Sequence, residues 1–305
     1  MDFELPDELM FLKNRKLPQQ QSSDLMAGKV VVITGATSGV GLAAVKRLAQ
    51  GKAKLVMVSR SPQKLDQLQQ QLWTLYGAEA EILVADLSDL ESVREAAAKL
   101  LTAHPKIHVL INCAGMHSTR ATHTREGHET VFCVNHLAPF LLTNLLLERL
   151  KDSAPARILM INSEGHRFNG LDMDDLHWQK RIYTGLRGYG ASKTAQLLTL
   201  WEMNDELAGT DVTINAMHPG DVKTNIGMNN GGLYRFFNRR IISPFLKDPA
   251  VSGESIYYLV ADESMNGVSG KFFHLTVEEK PASHALDRET GQALYRISRQ
   301  LTGLN

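Results

Sequence analysis

Three polar side chains in the second half of the chain have the types and spacing to move a proton at a substrate oxygen. Tyr189 and Lys193 stand four residues apart in YGASK, so on a helix they share one face. A free tyrosine has a pKa of about 10 and is a weak base at neutral pH. A lysine charge at about 4 Å, in an effective dielectric of about 20, contributes roughly enough to lower that pKa by two to three units. Ser163 adds a hydroxyl that can polarise the same oxygen, so this set predicts acid/base chemistry at an alcohol or carbonyl.

A glycine-rich turn follows the first apolar run, KVVVITG, and opens a helical pattern. Its glycines permit a tight turn and let backbone amides approach a pyrophosphate at the helix N-terminus. The position at the first strand–helix junction favours dinucleotide binding over a purely structural turn. The predicted cofactor-binding residues of this turn are Gly35, Thr37, Ser38, Gly39, Val40 and Gly41.

The end of the second apolar run, KLVMVSR, predicts which dinucleotide is bound. A carboxylate about 20 residues after the glycine turn normally binds the adenosine ribose and selects NAD. Here the run ends in Ser59 and Arg60, with no acid before Asp66. A guanidinium can hold a 2′-phosphate through several hydrogen bonds, so NADP(H) is predicted, with a solvated loop arginine as the alternative.

The next two apolar runs end in further candidate cofactor contacts. Asp86 and Leu87 close the third run, where Asp86 could accept a bond from adenine or cap the helix that begins near Leu90. Asn112, Ala114 and Gly115 close the fourth, where small residues let the backbone pass beside a cofactor.

These residues require a scaffold that brings strand ends together, and the chain shows its pattern. Short, nearly continuous apolar runs alternate with helical segments from Lys29 onward, as in a parallel sheet covered on both faces. The prediction is an α/β fold, a single doubly wound Rossmann-type domain over residues 28–305. Residues 1–27 are expected to be an N-terminal extension. A late strand, GKFFHL, is expected at the sheet edge, and a helix over about 287–301 with Asp287 as its N-cap.

One segment, about 224–243, interrupts the alternation with NNGG followed by LYRFFNRRIIS. A surface insertion, a lid over the substrate, a subunit contact and a membrane-touching patch all remain open for it. A lid would favour an apolar substrate through its aromatic and aliphatic side chains. These are Leu233, Tyr234, Phe236 and Phe237.

Composition excludes several other classes of function. Lys plus Arg equals Asp plus Glu at 33 each, so no global charge attracts nucleic acid, and two cysteines suit a reducing cytoplasm. The N-terminus has no continuous apolar core, and LAPFLLTNLLLERL is too short to span a bilayer and predicts a buried helix. No metal signature such as HExxH or CxxC occurs, and no GxSxG of a hydrolase. A cytoplasmic protein without a membrane anchor or metal is expected.

The order of the motifs resembles the short-chain dehydrogenase/reductase superfamily. The matching stretches are TGATSGVG, NCAG, FCVNHLAPFLL, MINSEGH, YGASK and HPGDVKT. SEGHR, KFFH and the tail LDRETGQALYRISRQLTGL are similar to the retinol-dehydrogenase-like, WW-domain-oxidoreductase-like branch. The resemblance covers about residues 28–303.

The resemblance implies a catalytic tetrad and the nicotinamide end of the cofactor site. The tetrad would be Asn135, Ser163, Tyr189 and Lys193, with Asn135 holding a water that links Lys193 to solvent and Lys193 also binding the nicotinamide ribose. Pro219, Gly220, Val222 and Thr224 would flank the nicotinamide, with Thr224 near its carboxamide. Members of the family are often dimers or tetramers, so a homo-oligomer is an option.

Two departures from the family pattern leave the tetrad intact: Cys113 replaces an asparagine, and Asn162 replaces the serine that often precedes the catalytic one. The family's membrane-bound retinol enzymes carry an N-terminal anchor, which is not expected here. The sequence thus predicts an NADP(H)-dependent oxidoreductase of an apolar alcohol or carbonyl, retinoid-, steroid- or lipid-like. The alternatives are a reductase of activated C=C bonds and a non-catalytic NADP(H)-binding regulator.

Overall fold

A computed structural model describes residues 17–222 and 248–304. Within these residues, eight strands form one sheet and helices cover both of its faces. The strands are β1 Val30–Thr34, β2 Lys54–Ser59, β3 Ala80–Val84, β4 Val109–Asn112, β5 Ala156–Ile161, β6 Val212–His218, β7 Lys271–His274 and β8 Val277–Glu278. The helices are α1 Gly39–Gln50, α2 Pro62–Tyr76, α3 Leu90–Ala103, α4 Thr130–Asp152, α5 Gly185–Glu206, α6 Ala250–Ala261 and α7 Arg288–Leu301.

The strand order is β3-β2-β1-β4-β5-β6-β7-β8, and every neighbouring pair is parallel except β7 and β8. The chain reverses its direction of winding between β1 and β4, where open α/β sheets bind ligands at their carboxyl ends. The predicted doubly wound fold is therefore confirmed. The expected edge strand GKFFHL is not the edge, because the two-residue β8 pairs with it on the outside.

The sheet separates two hydrophobic cores, as the alternation of side chains along β1 illustrates. Val32 packs with α3, α4, α5 and α7 on one face. Val31 and Ile33 pack with α1, α2 and α6 on the other. Both faces being buried explains why each strand has a continuous apolar sequence.

Helix α4 is long and apolar enough, by length and composition alone, to cross a membrane. In the folded protein 72% of its most apolar window is buried. The apolar run within it is thus a core helix of the domain, packed between the sheet and α7.

Residues 17–27 lie against the domain rather than apart from it. The Gln20 amide donates to Thr276, and the Arg47 guanidinium donates to the Ser22 carbonyl at 2.6 Å. Met26 is 4% exposed and belongs to the core on the α1 face. The part of the extension that the structure describes is therefore packed and hydrogen bonded.

Candidate active site

Ser163 and Tyr189 come together where β5 ends and α5 begins. Ser163 caps the short 3-10 turn Glu164–Phe168, and its Oγ accepts the Gly165 amide at 3.1 Å. The same hydroxyl is near enough to the Tyr189 phenol to lower its pKa. A Cβ on Gly165 would stand 3.1 Å from the Tyr189 ring and 3.4 Å from Ser163 Oγ, so Gly165 lies in close contact with both side chains.

Lys193 lies one turn along α5 and is 3% exposed. Its Nζ donates to the Ile161 carbonyl at 2.7 Å and stands 5.9 Å from the centroid of the Tyr189 ring. Burial lowers the pKa of Lys193 from 10.5 to about 8. The amine is therefore close to its titration point at physiological pH.

The expected depression of the Tyr189 pKa by Lys193 is not found in this arrangement. Burial raises the pKa of Tyr189 above 10.0, and the hydrogen bond with Ser163 opposes that rise only in part. The reason is that Lys193 directs its Nζ to a backbone carbonyl, and it is itself destabilised as a cation by burial. A tyrosine in this state is a proton donor at neutral pH.

Asn135 sits in a π-helical turn, Cys133–Leu137, inside α4. Its side chain accepts the Met116 amide at 2.8 Å and donates to the Met116 carbonyl and to Ser192 Oγ, both at 3.0 Å. A Cβ on Gly115 would lie 3.6 Å from Asn135 Oδ1 and 4.0 Å from Lys193 Nζ. The loop after β4 therefore lies in the same site as Asn135 and Lys193.

The glycine turn after β1 is closed on the loop after β4. Gly35 has φ +72°, and a Cβ there would come within 2.7 Å of the Ala114 backbone. Thr34 Oγ1 accepts the amides of Cys113 and Ala114, both at 3.1 Å. A Cβ on Gly41 would lie 2.2 Å from the Gly35 carbonyl oxygen, so only glycine fits at either position.

The start of α1 has the donor set that a pyrophosphate needs. The Ser38 side chain makes no capping bond, and the first turn carries no acidic residue, so its amides are not taken by side chains. Thr37 Oγ1 lies 3.1 Å from Ser59 Oγ, joining this turn to the end of β2. Arg60 follows there, exposed and in no ion pair among residues 17–222 and 248–304. The glycine turn and the start of α1 fit a dinucleotide.

Two of the strand-end candidates have contacts that refine their roles. Asp86 does not cap α3: Asp89 accepts the amides of Glu91 and Ser92, whereas Asp86 accepts the amide and hydroxyl of Ser88. The capping alternative for Asp86 was wrong, because Asp89 directly precedes the helix. Leu87 packs on the α3–α4 side of the sheet.

Asn112 is buried, and its Nδ2 donates to Thr143 Oγ1 at 3.0 Å. That bond ties the end of β4 to α4. Val40, in the first turn of α1, is 8% exposed and belongs to the core on that face.

The residues after β6 are placed beside this site as far as the described chain extends. The Pro219 carbonyl accepts the Ser252 hydroxyl at 2.5 Å, and Gly220 has φ +81°. Val222 is 6% exposed, and its amide donates to the Gly220 carbonyl. Thr224 and the segment 224–243 lie outside the described residues.

Sequence reasoning missed a buried ion cluster directly behind Ser163, formed by Glu164, Arg167, His218, His274 and Glu279. The Arg167 guanidinium donates to both carboxylates, and His274 Nδ1 lies 3.3 Å from Glu164 Oε1. Burial alone would raise the pKa of Glu164, but the hydrogen bond with His274 and the neighbouring positive charges hold it at about 2. The cluster joins the ends of β5, β6, β7 and β8.

Three members of this cluster, Glu164, His218 and His274, place one possible metal-ligating atom each within 4.8 Å of one another. Arg167 already neutralises Glu164. His218 Nδ1 accepts the Glu164 amide, so its hydrogen is on Nε2, which then cannot ligate. These contacts favour an ion network, and the prediction that no metal is bound remains a prediction.

Comparison with known proteins agrees with this geometry. The sequence profile of the family described as short chain dehydrogenase matches residues 29–232. The chain is 35% identical over 288 residues to Retinol dehydrogenase 13 of Homo sapiens, covering 93% of this chain and 87% of that one. It is 36% identical over 305 residues to Retinol dehydrogenase 14 of Mus musculus, covering 95% and 91%.

Among solved structures, an uncharacterized protein from Mycobacterium paratuberculosis superposes with a TM-score of 0.75 at 28% identity, over 94% of this chain and 98% of that one. An alcohol dehydrogenase from Thermococcus sibiricus, complexed with 5-hydroxy-NADP, shares the fold with a TM-score of 0.64 at 24% identity, over 83% and 98%.

Proposed function

The chain belongs to the short chain dehydrogenase family, in its retinol-dehydrogenase-like branch, and on that premise we propose an NADP(H)-dependent oxidoreductase. It would interconvert an apolar alcohol and the corresponding carbonyl compound, with Tyr189 as the acid/base. Enzymes of this family use nicotinamide cofactors. The observation that carries the proposal is the packing of Ser163 Oγ and the Tyr189 ring about Gly165, one helical turn from the buried Lys193.

Three residues of the tetrad have a defined task in this proposal. When bound, the nicotinamide supplies or accepts the hydride. Tyr189, protonated because burial raises its pKa, donates its phenolic proton to the carbonyl oxygen in the reductive direction. The Ser163 hydroxyl donates a hydrogen bond to that oxygen and stabilises its developing charge. Lys193, with a pKa of about 8, can give up and regain a proton near neutral pH and so re-protonate Tyr189.

Preference for NADP(H) rests on the end of β2. Arg60 directly follows β2 and is exposed, and a guanidinium at this position would bind a 2′-phosphate. Neither Ser59 nor Arg60 is an acidic residue, so the carboxylate that would bind free ribose hydroxyls is missing at this position. The Arg60 guanidinium would thus recognise the phosphate both by its positive charge and by its several N–H donors.

An apolar substrate is supported by large exposed side chains on the two elements that carry Ser163 and Tyr189 and on the segment before α5. Phe168, at the end of the turn that Ser163 caps, is 61% exposed, and Leu186, three residues before Tyr189, is 76% exposed. The Asn169 side chain donates to the Leu186 carbonyl, which holds these two elements together. Ile182 is 81% exposed. The retinol-dehydrogenase names of the relatives point the same way.

The two alternatives are separable in one assay, consumption of NADPH followed at 340 nm with a panel of apolar ketones, aldehydes and enones. Alcohol products support the proposal, whereas saturation of the enone with the carbonyl retained would identify a C=C reductase. NADPH binding without any turnover would identify a regulator. We further propose a cytoplasmic location, since both cysteines are free thiols.

A further inference from the structure

Asn162 and Gln196 form a buried pair of side-chain amides that touches three of the four tetrad residues. Asn162 is 2% exposed and Gln196 is 4% exposed. Asn162 Nδ2 donates to Gln196 Oε1 at 2.8 Å. We propose that this amide pair is a positioning device, which fixes Ser163 and Asn135 relative to the helix that carries Tyr189 and Lys193.

Every remaining polar atom of the pair is bonded to the backbone of a tetrad residue. Asn162 Oδ1 accepts the Ser163 amide at 2.8 Å, and Asn162 Nδ2 also donates to the Lys193 carbonyl at 3.0 Å. Gln196 Nε2 donates to the Asn135 carbonyl at 3.2 Å. The pair therefore bridges three separate elements, the end of β5, α5 and the π-helical turn of α4.

The direction of each hydrogen bond in the pair is fixed by its backbone partners. The Ser163 amide can only donate, so the Asn162 oxygen must face it and the Asn162 nitrogen must face the Lys193 carbonyl. The Asn135 carbonyl can only accept, so Gln196 turns its nitrogen toward it and its oxygen toward Asn162. Only one orientation of the two side-chain amides forms all four hydrogen bonds, and a fully hydrogen-bonded buried network is rigid.

This arrangement explains why position 162 is not a serine in this chain. A serine side chain carries one polar atom, whereas an amide presents an acceptor and a donor at separate atoms. The amide accepts from Ser163 and donates to both Gln196 and the Lys193 carbonyl, whereas a serine hydroxyl has only one hydrogen to donate.

The inference rests on the proposed function and is tested by a double-mutant cycle on turnover. The variants are Asn162→Leu, Gln196→Met and the two together, each close to isosteric. Thr199→Val is the matched control, since Thr199 is also buried in α5 but bonds only to backbone carbonyls of the same helix, those of Ala195 and Gln196, and to no side chain of the pair. Turnover, the dissociation constant for NADPH and the Tm are measured for all five proteins, wild type included.

We expect each single variant to lower kcat by about tenfold or more and to leave NADPH binding within about threefold, because misplacement of catalytic groups affects the chemical step. The double variant is expected to lose no more kcat than the worse single one, because either change alone breaks the same bridge. The control is expected to stay within about twofold of wild type. Asn162→Ser replaces Asn162→Leu if the latter does not fold, with the same expected non-additivity.

Losses of kcat that multiply in the double variant, or that Thr199→Val reproduces, would overturn the positioning role. A parallel loss of NADPH binding would also do so, since it would indicate general loosening of the fold. Wild-type protein that turns over no carbonyl compound would overturn the proposed function and this inference together. Wild-type turnover with multiplicative losses overturns this inference alone.

Discussion

Replacing Lys193 by methionine should make the protein more stable while removing its activity. Burial lowers the pKa of Lys193 from 10.5 to about 8. At about 1.4 kcal/mol per pKa unit, the charged amine costs the folded state about 3 kcal/mol at pH 7. Methionine has a similar shape and no charge, but it forfeits the bond to the Ile161 carbonyl, worth about 1 kcal/mol. The expected net gain of about 2 kcal/mol corresponds to a Tm higher by roughly 4 °C for a chain of this size.

The pH dependence of that gain follows from the direction of the shift. Below pH 8 both the folded and the unfolded wild type carry the proton, so the cost is present in full. Between pH 8 and 10.5 the unfolded chain binds more protons than the folded one, so the stability of the wild type rises with pH. The advantage of Lys193→Met should therefore be largest at pH 7 and shrink toward pH 10.

The assay is thermal unfolding of wild type and variant at pH 7, 8, 9 and 10, with NADPH turnover measured on the same samples. Lys64→Met, at an exposed position of α2, is the control and should change Tm little at any of these pH values. A variant no more stable than wild type at pH 7, or an advantage that does not change with pH, would refute the claim that Lys193 is a destabilising buried cation.

Three further predictions concern the cofactor end and the N-terminal segment. Arg60→Asp should shift the ratio of kcat/KM for NADPH over NADH by about 10–100-fold toward NADH, because it removes one or two charged hydrogen bonds to the 2′-phosphate. An unchanged ratio would show that Arg60 is only a surface charge. Gly41→Ala should lower the Tm and the affinity for NADPH, because the new Cβ would lie 2.2 Å from the Gly35 oxygen. Gly115→Ala, whose nearest contact is 3.6 Å, should leave the Tm nearly unchanged. Equal Tm values for the two variants would contradict this packing argument. Truncation of residues 1–27 should lower the Tm, since it removes the buried Met26 and the Ser22 partner of Arg47, and an unaltered Tm would show that these contacts contribute no stability.

The fold was predictable because strands buried on both faces leave continuous apolar runs in the sequence. Val31, Val32 and Ile33 all read as apolar although they enter different cores. By contrast, the two-residue β8 is too short to leave any periodicity, so the sheet edge was assigned one strand too early.

The site was predictable where its chemistry depends on neighbours in sequence and not where it depends on tertiary contacts. Tyr189 and Lys193 share a helix face because of their spacing. Whether Lys193 lowers the pKa of Tyr189 depends on β5, since its Nζ donates to the Ile161 carbonyl instead. The partners Arg167 and Glu279 are 112 residues apart, so no local pattern links them. Asn162 was visible as an unusual residue, and only the structure gives it a partner in Gln196.

The central claim is that Tyr189 moves the proton in an NADP(H)-dependent reaction at an alcohol or carbonyl. The most direct test is NADPH consumption across apolar ketones and aldehydes by the wild type and by Tyr189→Phe, with NADPH binding measured for both. The account predicts that the wild type produces alcohols and that the variant binds NADPH almost as tightly while its turnover is abolished, because only the phenolic oxygen has been removed. Retained turnover in Tyr189→Phe would contradict it.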